Sequence, residues 1–106
     1  MLSQSASARE TEVGVIKLFN NALATKLADF FAEKKDATYV LVDTHVGFNA
    51  AIQDPKKYGA RDATCYNSDG KTCLWYNDYH PGTAIQREVA RGVVAGWKES
   101  GWFKDR

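Results

Sequence analysis

The sequence predicts a layered α/β fold, and within it a segment that sits at the end of a larger domain. Three observations lead there. Two long stretches carry apolar residues three and four apart, one nearly continuous apolar run lies between them, and 106 residues offer almost no other strand candidate.

Residues 1–11 read as a polar, Ser-rich tail, Met1-Leu2-Ser3-Gln4-Ser5-Ala6-Ser7-Ala8 at its start. From about Glu12 to Glu33, apolar residues fall at Val13, Ile16, Phe19, Leu23, Leu27, Phe30 and Phe31, which predicts a long amphipathic helix. Lys34-Lys35-Asp36 closes it, with cations near its negative C-terminal end. The run Ala37-Thr38-Tyr39-Val40-Leu41-Val42-Asp43 is β-branched and aromatic without polar alternation, the pattern of a parallel strand covered on both faces. Asp43 or Thr44 is placed to cap a short helix through Val46, Phe48, Ala51 and Ile52, stopped by Pro55. Residues 56–73 form a loop with Gly59, Gly70 and both cysteines, and Leu74-Trp75-Tyr76 reads as a brief second strand. A final helix starts near Thr83, runs through Ile85, Val89, Val93 and Trp97, and ends at Gly101. Residues 104–106 are a C-terminal tail.

The central strand is the difficulty in this inventory. Its backbone groups need partners on both edges and its side chains need cover above and below. The two long helices can supply the cover, but nothing in the sequence supplies the neighbouring strands. The segment is therefore expected to be the end of a larger layered domain.

Composition narrows the function. With 44% hydrophobic and 12% aromatic residues the chain is not a disordered tail. No apolar run approaches the ~18 residues of a membrane span. A net charge of +1 provides neither a basic patch for nucleic acid nor a polybasic membrane anchor.

Cys65 and Cys73 lie in a Gly/Asp/Asn-rich stretch, and two thiols closing a short exposed loop suggest a disulfide and an oxidising compartment. Two free cysteines in a cytosolic protein are the plainer alternative. A zinc site from Cys65, Cys73, His80 and His45 is weaker, because the cysteines lack the usual C-x₂₋₄-C spacing. The N-terminus carries no apolar core of an export signal, which conflicts with a disulfide unless an upstream part of a longer protein is missing.

The chemistry-bearing stretch is Leu74-Trp75-Tyr76-Asn77-Asp78-Tyr79-His80-Pro81-Gly82-Thr83, directly before the last helix. A histidine there, preceded by acidic or amide residues, has the makings of a general base with its orienting partner. By itself the pattern equally describes a loop histidine that only hydrogen-bonds. His45 and Asp43, at the end of the apolar run, read as helix-start and turn residues. Trp75 and Tyr76 read as core or as the lining of a sugar pocket, and Trp97 and Trp102 as C-terminal packing.

From about Val13 to Phe103 the chain resembles the C-terminal third of fungal SGNH hydrolases, the GDSL-type esterases, in particular acetylesterases of carbohydrate esterase family 16. The residues that carry the resemblance are Asn20, Asn21, Leu23 and Leu27 on the long helix, then Val40-Leu41-Val42-Asp43 and Phe48. Pro55, Tyr58 and Gly59, the cysteine loop and the aromatic run into His80-Pro81 complete it. The resemblance implies that residues 12–103 are the C-terminal portion of a flavodoxin-like three-layer α/β/α fold. It further implies a secreted serine esterase acting on acyl, chiefly acetyl, esters of carbohydrate, with no cofactor or metal. His80 becomes the catalytic base and Asp78 its candidate orienting acid.

Two departures accompany it. The family's acid normally lies three residues before the histidine, where this chain has Asn77, and Asp78 lies two before. In serine proteases an Asp-to-Asn change in this role lowers kcat roughly 10⁴-fold. Further, no Gly-Asp-Ser nucleophile block and no oxyanion-hole blocks occur. The serines present are Ser3, Ser5, Ser7, Ser68 and Ser100, none in a nucleophile context. The expected reading is thus a fragment of an ester hydrolase that carries the base, lacks the nucleophile, is inactive alone and is completed by a missing N-terminal portion. The competing reading is a non-catalytic remnant that serves as a binding module through its exposed apolar faces.

Overall fold

The structure, a computed structural model, describes residues 4–102. Residues 1–3 of the expected N-terminal tail, residue 103 at the end of the expected 12–103 portion, and the C-terminal tail 104–106 lie outside those residues. The described residues divide into two compact units with the boundary between Leu41 and Val42.

The first unit is dominated by helix α1, Ala6–Phe31. It begins ahead of the expected start at Glu12, because the Ser5 hydroxyl caps it by accepting the Ala8 N–H at 3.1 Å. Ala6, Ala8, Arg9 and Glu10 are good helix formers, so the polar stretch is helical although it carries no apolar stripe. The stripe had marked a face and not an end. After Phe31 the chain turns, with Lys34 N–H bonded to Phe31 C=O and Ala37 N–H to Lys34 C=O. The lysines therefore lie beyond the last helical turn, and Lys34 Nζ sits 4.7 Å above the Phe30 ring. No residue of α1 is buried. Its predicted apolar stripe is present but uncovered, with Phe19 66% exposed.

The expected strand at Ala37–Asp43 does not form, and no β-strand forms anywhere among the described residues. A strand exists only through bonds to a neighbour, and these residues offer the apolar run no neighbour. Tyr39 packs its ring 4.7 Å from that of Phe31, while Leu41 is 49% exposed. The layered α/β fold expected from the sequence is thus not realised in this segment, which is mostly helical. The second expected strand, Leu74–Tyr76, reduces to two isolated bridges at Trp75, to Tyr66 in parallel and to Pro81 in antiparallel sense.

The second unit has the real core. Helix α2, His45–Gln53, starts where Asp43 Oδ1 accepts the His45 N–H at 3.0 Å, while Thr44, next to the helix, offers no side-chain cap. Pro55 stops it and opens a single 3₁₀ turn, Pro55–Tyr58, closed by Gly59 at φ 82°. Helix α3, Thr83–Glu99, packs against α2. The helices meet at Gly47, where a Cβ would lie 3.1 Å from the backbone of Glu88 and Val89. Ala51, Ala60, Leu74 and Ile85 form the buried cluster, with Phe48, Tyr58, Trp75 and Val89 packed around it. Beyond α3, Gly101 turns at φ 81° and Trp97 stacks on Trp102 with ring centroids 5.4 Å apart, the expected C-terminal packing.

The long loop between the 3₁₀ turn and α3 is organised without regular structure. Cys65 and Cys73 form a disulfide with Cα atoms 5.5 Å apart, as one of the sequence readings had it; both thiols are thereby removed from any zinc site. Asp62 accepts the N–H groups of Thr64 and Cys65, and Asp69 those of Lys71 and Thr72 together with the Thr72 hydroxyl. Among the described residues no helix is long and apolar enough to cross a membrane.

Candidate functional site

His80 lies at the end of a tight five-residue loop. The stems are Trp75 and Pro81, paired in the antiparallel bridge, and Tyr76 N–H closes the loop on His80 C=O at 2.8 Å. Within it, Asn77 Oδ1 accepts the backbone N–H of Tyr79 at 3.0 Å and that of His80 at 2.8 Å. An amide side chain at the start of a turn is suited to this, because its oxygen reaches N–H groups two and three residues on.

The same oxygen lies 2.9 Å from His80 Nδ1. The two backbone donors fix which end of the amide faces the loop, since an N–H cannot bond an NH₂. Facing an acceptor oxygen, Nδ1 must carry the proton, and a neutral ring then leaves its lone pair on Nε2. Nε2 makes no hydrogen bond to any described residue, and His80 is exposed. The arrangement is that of a histidine held in the tautomer a general base requires, with its accepting nitrogen turned outward.

Asp78 makes no such contact. It is exposed and makes no hydrogen bond or ion pair with His80, so of the two candidates for orienting the ring it is Asn77 that contacts it. Sequence spacing places Asn77 where the family has its acid, and the structure adds two bonds from Asn77 to the loop's own backbone. The signal for them was there, because Asn followed by two or three turn residues commonly folds in this way.

Around this loop, Trp75 donates its Nε1–H to Ala63 C=O at 2.8 Å and packs its ring against Phe48, with centroids 6.1 Å apart. It serves the core. Tyr76 and Tyr79 are 47% and 70% exposed beside His80. His45 is an exposed first-turn residue of α2, its N–H capped by Asp43; both residues do what the sequence assigned them, except that the bond uses the backbone of His45 and not its ring. Of the serines in this unit, Ser68 lies in the loop and Ser100 bonds Trp97 C=O at the end of α3, and neither reaches His80 by a hydrogen bond.

Asp62 and Asp69 are held below the usual carboxylate range. For Asp62 the leading cause is the Cys65 N–H, followed by that of Thr64; for Asp69 it is the Thr72 hydroxyl, followed by the N–H groups of Thr72 and Lys71. Two hollows open on the unit, one of about 330 Å³ beside Tyr58, Arg87 and Arg91, the other of about 260 Å³ between Val46, Gly47, Val89 and Gly92. His80 lines neither.

The chain is 48% identical over 100 residues to an acetylesterase of Thermothelomyces thermophilus, a match covering 94% of the chain and 33% of that protein. It is 44% identical over 43 residues to a GDSL esterase/lipase of Arabidopsis thaliana, covering 41% of the chain and 11% of that protein. The chain thus spans about a third of the acetylesterase it matches. No family model and no solved structure matches it. Both relatives are ester hydrolases by name, and the chain is similar to a part of each. More particularly it is a homologue of acetylesterase, of the GDSL type, carrying the part that the sequence resemblance identifies as C-terminal.

Proposed function

We propose that these residues form the base-bearing part of an ester hydrolase that removes acyl groups, chiefly acetyl, from carbohydrate. The observation that supports this reading most is the Asn77–His80 contact, which leaves Nε2 with a free lone pair on an exposed loop. In the complete enzyme His80 Nε2 takes the proton from a serine hydroxyl as that oxygen attacks the ester carbonyl. It returns the proton to the departing alcohol, then activates the water that hydrolyses the acyl-enzyme. Asn77 holds the ring in the Nδ1–H tautomer throughout, without contributing the negative charge an aspartate would supply.

The chain alone is inactive in this reading. Its 106 residues contain no Gly-Asp-Ser block, and a base with no nucleophile and no oxyanion donors has nothing to activate. The partner is a segment carrying those blocks, which would also supply strands for the apolar run at residues 37–43 and cover for α1. The disulfide agrees with secretion of the complete protein.

The test is reconstitution. The chain mixed with a purified segment bearing the Gly-Asp-Ser block is expected to hydrolyse an acetylated sugar, and His80→Ala to abolish that hydrolysis. Activity that persists in His80→Ala would remove the base assignment.

The exposed apolar face of α1 supports a second reading, a non-catalytic remnant that binds a partner through that face. A chain that self-associates or captures a partner, but never restores hydrolysis, would favour it.

A further inference from the structure

We infer that the Cys65–Cys73 disulfide and Gly82 are positioning residues for His80, so that reducing the disulfide releases the histidine from the tautomer its role requires. The inference rests on the reading of His80 as the base and adds a redox control to that site.

Both stems of the His80 loop are fastened to the segment that the disulfide closes. On the entering side, Trp75 C=O accepts the Asn67 N–H at 3.0 Å, and Trp75 is bridged to Tyr66. On the leaving side, Thr83 N–H bonds Gly70 C=O at 2.9 Å and Gly82 N–H bonds Leu74 C=O at 2.7 Å. Asn67 and Gly70 lie between the two cysteines, so the disulfide fixes the acceptor and donor that set the spacing of the stems. Leu74, fully buried, continues directly from Cys73 into the core.

Gly82 shows how close that fit is. A Cβ there would lie 2.8 Å from Gly70 O, 3.0 Å from Leu74 O and 3.3 Å from Cys73 O. All three are backbone oxygens, which cannot swing aside as a side-chain tip can. Gly70 itself turns at φ 69°, a conformation that favours glycine, and this directs its carbonyl to the start of α3. The internal bonds of the loop from Tyr76 to His80, the Asn77–His80 contact among them, close only while the Trp75 and Pro81 stems stay paired, and the bonds to the cysteine segment hold the stems there.

The redox step balances simply. A dithiol attacks the Cys65–Cys73 bond through one thiolate, and its second thiol resolves the mixed disulfide. Two electrons pass to the protein sulfurs, which take up protons as thiols, while the reagent becomes a cyclic disulfide. With the bond gone, the segment from Asn67 to Gly70 is free to separate from Trp75 and Thr83.

The experiment reads the ring nitrogens of the full, ¹⁵N-labelled chain by NMR, with His45 as an internal control. In the oxidised chain His80 is expected to show a protonated Nδ1 and an unprotonated Nε2. Treatment with a dithiol is expected to erase that asymmetry at His80 and leave the His45 signals in place. Oxidised Gly82→Ala is expected to do the same, and it decides the matter should reduction unfold the unit as judged by circular dichroism. A His80 pattern unchanged both in the reduced chain and in folded Gly82→Ala would overturn the inference while leaving the base reading intact. The converse outcome, a tautomer that responds as described in a chain whose reconstitution yields no esterase, would overturn the base reading alone.

Discussion

Asn77 Oδ1 lies 2.9 Å from His80 Nδ1 while it accepts the backbone N–H groups of Tyr79 and His80. One neutral amide therefore both shapes the loop and orients the ring at its end. In this arrangement an amide keeps the correct tautomer because its oxygen is locked inward by the backbone; elsewhere an amide in the acid's place fails by offering the wrong end.

That division of labour separates two substitutions. In the reconstituted hydrolase, Asn77→Ala is expected to lower kcat by roughly 10²–10⁴-fold, the range for losing an oriented general base. Asp78→Ala is expected to leave kcat unchanged. Steady-state kinetics on an acetylated sugar checks both, and the opposite ranking would return the orienting role to Asp78.

Two helical glycines should respond with opposite signs to the same change. Gly14 is in the middle of exposed α1 with nothing within 4 Å of a Cβ, so Gly14→Ala should stabilise the helix by about 0.8–1.0 kcal/mol. Gly47 is wedged against the backbone of Glu88 and Val89, and Gly47→Ala must push α3 away, costing about 1–3 kcal/mol less its gain in propensity. Thermal melts followed at the helical band report each.

The small core makes single truncations severe. Leu74 and Ile85 are fully buried, and replacing either by Ala should cost about 2–5 kcal/mol from lost transfer energy and the cavity left behind. Denaturant titration followed by far-ultraviolet circular dichroism measures it. A cost near zero would mean that the cluster is not the core of this unit.

Acid should loosen the cysteine loop before it affects the helices. Asp62 and Asp69 are held below the ordinary carboxylate value of 3.8 by bonds that exist only in the folded loop. Their contribution is fully present above that value and is lost as pH falls through the lower, folded-state values, since the unfolded chain takes up protons first. Amide exchange at Cys65 and Thr72 should quicken over that window. In an Asp62→Asn, Asp69→Asn chain the exchange should already be faster at neutral pH and show no acid step.

Much was legible in the sequence where the controlling forces are local. Pro55 stops α2, Asp43 caps it, and Gly101 follows α3, because these depend on dihedral preference and on bonds two to four residues away. The apolar spacing from Val13 to Phe31 predicts the helix but not its start, since spacing reports an apolar face while Ser5 and the alanines set the terminus. The run at Tyr39–Val42 has the composition of a strand and forms none. Composition states a preference for pairing, and pairing needs another chain segment that these residues do not contain.

The candidate site divides in the same way. Motif order and spacing suffice to show which histidine stands in a base-like context, that the residue at the acid's position is an amide, and that no nucleophile block accompanies it. The folded arrangement was needed to show that Asn77 and not Asp78 meets the ring. It also decided that the disulfide closes and that the stems at Trp75 and Gly82 lock into the cysteine loop. The reason is range. Helix caps and stops are settled within a few residues, whereas the direction of one imidazole depends on backbone bonds between segments that the folded loop alone brings into register.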